Sequence, residues 1–314
     1  MDSLQIIPIL CICMVLYLSG IDLQFRGLRN SAYNLEKNLI LIEFLTQHKS
    51  KTKDYSRSPE EYGQYQHFIQ GTMEGNCVSF LYEYPLIHKI QGRLQINLEP
   101  VETSRQVDTF GLPQAIVEVT PEGFKIASGV SQATIDIELN RNGWGENGIA
   151  YSELIPQFDS LTVKIASNLI DQLSSNSQDN YLNRVQAALN FVQFIPYGQP
   201  NFNTTEWYYH GLSLPPESFV LGYADCDSKA LFFASILSHL IPKENIIVVH
   251  CTVKSSQSRT NGAHAMAAVS DLGVVGETLQ YNNKSYLLLE TTAPSAIGSF
   301  DWISFEVLEI RPIL

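Results

Sequence analysis

The sequence predicts an α+β protein in which helices pack on an antiparallel sheet at the C-terminal end, preceded by a small β-rich segment and an N-terminal apolar helix. Three observations predict it. An uncharged stretch opens the chain, apolar/polar alternation fills the middle, and helical stripes at steps of three and four give way to aliphatic strands further on. With 45% of the 314 residues hydrophobic and 17% charged, the composition is globular and excludes a disordered or collagen-like chain. Lys plus Arg number 20 against 32 Asp plus Glu, a net charge of −12, so the clustered positive charge that tracks phosphates is missing. No nucleic-acid partner is expected.

The run LQIIPILCICMVLYLS, Leu4 to Ser19, carries no charge, and Gly20-Ile21 extends it before Asp22. Its length approaches the roughly 17 to 25 residues of a spanning helix, and it lacks the basic flank and cleavage site of a signal peptide. Residues 1–24 are therefore expected to be a single-pass membrane anchor, with a signal peptide or a buried helix as alternatives. Asp2 on one flank and Arg26 and Arg29 on the other leave both orientations open. Residues 25–75 join an amphipathic helix, striped by Leu35, Leu39, Ile42 and Leu45, to the polar linker KSKTKDYSRSPEEYGQY.

Alternation marks residues 76–150 as a small antiparallel β domain with one wet face. GRLQINLEP sets Leu94, Ile96 and Leu98 on one side, AIVEVTPEGFKI turns at Pro121-Glu122-Gly123, and ATIDIELN sets Ile135, Ile137 and Leu139 opposite Asp136 and Glu138. Nothing in this segment carries chemistry, and it reads as a packing or partner-binding module. In residues 151–314, Leu161, Ile165, Leu169 and Leu173 stripe one helix, and Leu182, Val185, Leu189 and Val192 stripe a second that Pro196 stops. A half-buried helix from Cys226 to Leu240 follows, then strands at 246–253, 264–270 and 285–292.

Cys11 and Cys13 lie in the apolar opening, which leaves Cys77, Cys226 and Cys251 for the body. Widely spaced and without CxxC or HxxxH, they form neither a disulfide framework nor a zinc ligand set, and no metal or cofactor is expected. Cys226 falls in the first turn of its helix, where unpaired amides and the macrodipole favour thiolate, with Asp225 as the expected cap. His264 opens the strand HAMAAVS, sharing a face with Met266 and Ala268, and Glu290 closes the aliphatic run YLLLE. If these strands pair, Glu290 steadies the imidazole, His264 takes the thiol proton, and Cys226 is the nucleophile.

This order of Cys at a helix start, His on a strand and an acid on the next strand resembles the transglutaminase-like superfamily of papain-related cysteine enzymes, in particular bacterial membrane-anchored members. A-D-C-D-S-K-A-L at 224–231 resembles its G-D-C-D-x-K-A-L signature, and the likeness covers roughly 155–314. The resemblance implies Cys226 as nucleophile, His264 in G-A-H-A-M-A-A-V as base and Glu290 in L-L-L-E-T-T as the acidic third member. FIPYGQP and LPPESFVLGYADC resemble segments that approach the site. Ala224 stands for the usual Gly, Met266 for a frequent Trp, and Glu290 is a methylene longer than the commoner Asp; none removes a required group.

Beside the triad, Gln199 is a candidate oxyanion donor, and Trp207 to His210 a candidate aromatic wall, each with a plain packing alternative. His250 and Cys251, adjacent on a strand, point to opposite faces, and a Cys226–Cys251 redox pair is the third option. The expected function is cysteine-dependent hydrolysis or acyl transfer on a peptide or protein substrate, with hydrolysis favoured. The alternative is a non-catalytic module of the same shape that holds a peptide or partner protein at the membrane.

Overall fold

The computed structural model describes residues 53–54, 68–74, 77–87, 89–99, 112–113, 117–120, 123–134, 144–145, 148–198, 207–208, 212–255, 262–299 and 302–314. The expected anchor at 1–24, the amphipathic helix read within 25–75, the strand read at ATIDIELN from Ile135 onward, and Gln199 lie outside them. Among the described residues no helix is long and apolar enough to cross a membrane.

The N-terminal strands β1 (Lys53–Asp54), β2 (Phe68–Glu74), β3 (Cys77–Ile87) and β4 (Ile90–Leu98) pair in sequence order as one antiparallel sheet. Along β4, Leu94, Ile96 and Leu98 are buried while Arg93, Gln95 and Asn97 are exposed, as the alternation predicts. Three short ribbons involve β5 (Leu112–Pro113), β6 (Val117–Thr120), β7 (Gly123–Ile126), β8 (Trp144–Gly145) and β9 (Gly148–Ile149). β6 pairs with β7, Thr120 opposite Gly123 across the expected turn, β8 pairs with β9, and β5 pairs with β10 (Trp207–Tyr208).

A short helix, α1 (Tyr151–Leu154), leads into α2 (Asp159–Ser175) and α3 (Tyr181–Phe194). The whole predicted stripe of α2, Leu161, Ile165, Leu169 and Leu173, is buried, each residue contributing about 1.5–3 kcal/mol. Asn180 caps α3 by accepting from the Asn183 amide, and Ile195, forced extended by the following Pro196, ends it. Next, α4 (Pro215–Leu221) starts on two prolines and ends at Gly222, whose φ of +68° is the left-handed turn that glycine makes without strain. That turn delivers the chain to α5 (Cys226–Leu237).

The second sheet runs in the order β13 (Thr278–Tyr281), β14 (Lys284–Leu289), β12 (Gly262–Ser270), β11 (Ile246–Ser255), β15 (Trp302–Pro312), with every pair antiparallel. Asn282 and Asn283, both at positive φ, close the β13–β14 hairpin. Val248, Ala265, Ala267, Val269, Leu287 and Leu289 face the helices, while Ile247, Val249, Cys251, Met266, Ala268 and Leu288 form a second buried cluster on the other side.

Two features differ from the sequence reading. The β2–β4 sheet closes no core of its own: Tyr84 stacks edge-on against Phe191 of α3 at 5.1 Å, Tyr82 lies 4.9 Å from Phe219 of α4, and one buried cluster runs from Phe80 to Ile313. Likewise α5 is not half-buried. Every residue from Ser228 to Leu237 is buried, because α2, α3 and α4 surround it on the sides that β11 and β12 leave open.

Candidate active site

The start of α5 is built by a cap. Asp225, in extended conformation, accepts from the Ser228 amide at 3.3 Å and from the Ser228 hydroxyl, while Asp227 accepts from the same amide at 3.1 Å. The Ser228 oxygen in turn accepts from the Ser213 amide at 2.7 Å, tying the helix start to the segment before α4. Residues 196–198 run alongside Ala224, with the Gly198 amide donating to the Ala224 carbonyl at 3.1 Å and the Ala224 amide to the Pro196 carbonyl at 3.1 Å. Gly198 is needed there, since an added Cβ would come within 2.8 Å of the Tyr223 ring.

Cys226 is thus presented on the first residue of α5, half-buried, against the sheet. The backbone amides of Ala265 and Asp227 donate to its sulfur. Ala265 directly follows His264 on β12, so the Cys226 sulfur meets the backbone next to His264, while strand alternation sets the His264 side chain on the face of Cys251, Met266 and Ala268. β12 and β14 do pair, from Ala267 opposite Leu289 to Ser270 opposite Tyr286. Past the end of that ladder, His264 Nε2 and Glu290 Oε2 meet at 3.2 Å with side chains 10% and 6% exposed. Glu290 Oε1 accepts from the Thr292 amide at 2.6 Å and from the Thr292 hydroxyl. Burial pushes the Glu290 carboxyl up, yet the His264 hydrogen bond and charge, with the two Thr292 donors, outweigh it and hold the group below its ordinary value.

The thiol departs from the sequence expectation. A helix start favours thiolate, but burial first, then the charges of Asp227 and Asp225, push the Cys226 thiol up to about 12, and the two amide donors offset only part of this. The Asp225 and Asp227 carboxyls are themselves raised, chiefly by burial and for Asp225 also by its neighbour's charge.

Cys251 lies directly opposite His264 in the β11–β12 register, buried in the cluster on the far face, and burial followed by the Glu290 charge pushes its thiol up to about 12 as well. Cys226 packs on the helix side, so the two sulfurs belong to different faces of the sheet. His250 meets the Tyr151 hydroxyl through Nε2 at 3.1 Å. Tyr151, fully buried at the start of α1, has its phenol raised chiefly by burial and then by the Asp227 charge. In the sequence, a tyrosine before an amphipathic helix carries no distinguishing mark. Of the aromatic run, Trp207 and Tyr208 pair with Pro113 and Leu112. Among the described residues no group of three or more His, Cys, Asp or Glu could hold a metal ion.

A buried carboxylate bonded to an imidazole can stabilise that imidazole's cation, and a helix-borne thiol meets the same strand at the neighbouring residue. Comparison of the chain with protein-family models finds no match, and comparison with curated proteins finds none.

Proposed function

We propose that the chain is a transglutaminase-like, papain-related cysteine enzyme that hydrolyses an amide or peptide bond, tethered to a membrane through residues 1–24. The observation that carries this reading is the His264–Glu290 hydrogen bond, 3.2 Å long, beside the strand amide that donates to Cys226. Glu290 occupies Nε2, so Nδ1 takes the thiol proton as sulfur attacks the substrate carbonyl. The carbonyl π electrons move to oxygen, and the Cys226 backbone N–H donates to that oxyanion. As the tetrahedral species collapses, the C–N bond breaks and the imidazolium returns its proton to the leaving amine. Water, deprotonated by His264, then cleaves the thioester and restores the thiol. An amine in place of water would yield a crosslink. Gln199 keeps its place as a candidate second oxyanion donor.

The test uses p-nitrophenyl acetate as acyl donor and intact-protein mass spectrometry. An acetyl group on Cys226, absent from Cys226→Ser and slowed about a thousandfold in His264→Ala, is the expected result. Acetylation spread evenly over Cys77, Cys226 and Cys251 would contradict it. Adding a fluorescent primary amine with a glutamine-containing protein separates hydrolysis from transfer.

A second reading has its own support. The raised Cys226 thiol, about 12, suits a site that binds without reacting, a non-catalytic module holding a peptide or partner protein. Such a module leaves Cys226 unacetylated while the fold is intact.

A further inference from the structure

Glu290 stands where the sheet has stopped holding the chain. Its strand ends at Leu289, so ladder hydrogen bonds no longer fix the backbone that carries the carboxylate. The side chain is also a methylene longer than aspartate, which adds a rotatable bond between backbone and carboxyl group. Something else must aim it.

Three side chains from three elements converge there. Gln193, in the last turn of α3, donates Nε2 to the Glu290 carbonyl at 2.7 Å and to the Ser295 carbonyl at 3.2 Å. Thr292 gives both its amide and its hydroxyl to Oε1, which leaves Oε2 pointed at His264. Lys229, one turn beyond Cys226 on α5, donates Nζ to the Thr292 carbonyl at 3.0 Å and to the Gln193 carbonyl at 3.4 Å. Its side chain is 0% exposed, among leucines and phenylalanines. An ammonium in that setting is costly unless its donors are used. Here they bind α3 and the 290–292 segment to the helix that carries the nucleophile.

We propose that Lys229, Gln193 and Thr292 are the positioning residues of Glu290, a frame that couples the carboxylate to α5 so that thiol, imidazole and carboxylate keep one geometry. The inference rests on the catalytic reading of Cys226, His264 and Glu290 and adds the residues that hold it in register. The Thr292 hydroxyl restrains rotation of the carboxyl group. Lys229 keeps Thr292 from drifting away with the loop that follows.

The experiment uses the full chain labelled with nitrogen-15 histidine. The imidazole Nε2 proton held by Glu290 is read as a downfield resonance, assigned through its loss in His264→Gln. Thr292→Val is expected to broaden or abolish that resonance and to lower kcat on p-nitrophenyl acetate about tenfold with KM within about twofold, while Thr292→Ser restores both. Lys229→Met is expected to match Thr292→Val; where it does not fold, as circular dichroism reports, the threonine pair decides. A wild-type resonance and kcat in Thr292→Val overturn the proposal. If the resonance depends on Thr292 but wild-type Cys226 never acetylates, the frame stands and the catalytic reading falls. If Cys226 acetylates and the resonance ignores Thr292, the frame alone falls.

Discussion

Two buried carboxylate sites flank Cys226, and they resolve burial in opposite directions. On the strand side, Glu290 is 6% exposed yet held below its ordinary value, because His264 and two donors from Thr292 compensate the charge. On the helix side, Asp225 and Asp227 share the donors of Ser228, and burial outweighs them so that both are raised. Burial alone therefore does not decide ionisation; the partner does. For the thiol between them the consequence is directional. The helix side opposes a resting thiolate, and on the proposed reading the strand side supplies the base. On that reading Cys226 gives up its proton during attack, not before it.

The comparison breaks most severely if the strand side is disarmed. His264→Ala should slow acetylation and alkylation of Cys226 by about a thousandfold, measured by peptide mass spectrometry. Glu290→Gln should cost about ten- to a hundredfold in the same assay, since the imidazole remains but its cation loses a charge partner. The helix side should respond with the opposite sign. Asp227→Asn removes a charge that raises the thiol, so alkylation of Cys226 near neutral pH should speed up, by about tenfold at most.

The smallest effects sharpen the contrast through stability. Glu290 is lowered in the folded state, so the unfolded chain binds its proton more readily. Its stabilisation is present above the ordinary carboxylate range and is lost as pH falls through the folded value. Asp225 is raised, so the folded chain binds the extra proton, and its effect runs the other way: stability declines as pH climbs out of the ordinary carboxylate range towards the folded value. Asp225→Asn, which keeps a capping side chain, should flatten that decline in urea melts followed across pH.

Much of this was readable in the sequence where periodicity and chemistry coincide. The stripe of α2, the aliphatic strands β11, β12 and β14, the Asp225 cap and the convergence of His264 with Glu290 all follow from local pattern plus one assumption, that neighbouring strands pair. Other parts left no such trace. β15 mixes charge with aliphatics along an edge, and β13 spans only Thr278–Tyr281, so neither shows a clean alternation. The burial of α5 on every side depends on α2 and α3 arriving from a distance in the chain, and the joint core of Tyr82, Tyr84, Phe191 and Phe219 does too. Lys229 is a lone lysine immediately before the apolar run ALFFASIL, and only the fold reveals its partners. Thr292, beside the acid, was hidden by its ordinariness.

Cys226 and Cys251 offer the most direct measurement, because both thiols are raised to about 12, but Cys226 is carried on a helix start and half-buried while Cys251, directly opposite His264, is 1% exposed on the other face. Native protein treated with iodoacetamide near neutral pH should label Cys226 far ahead of Cys251, and His264→Ala should erase that lead. Equal, slow labelling of the two, unchanged when His264 is removed, would contradict the account.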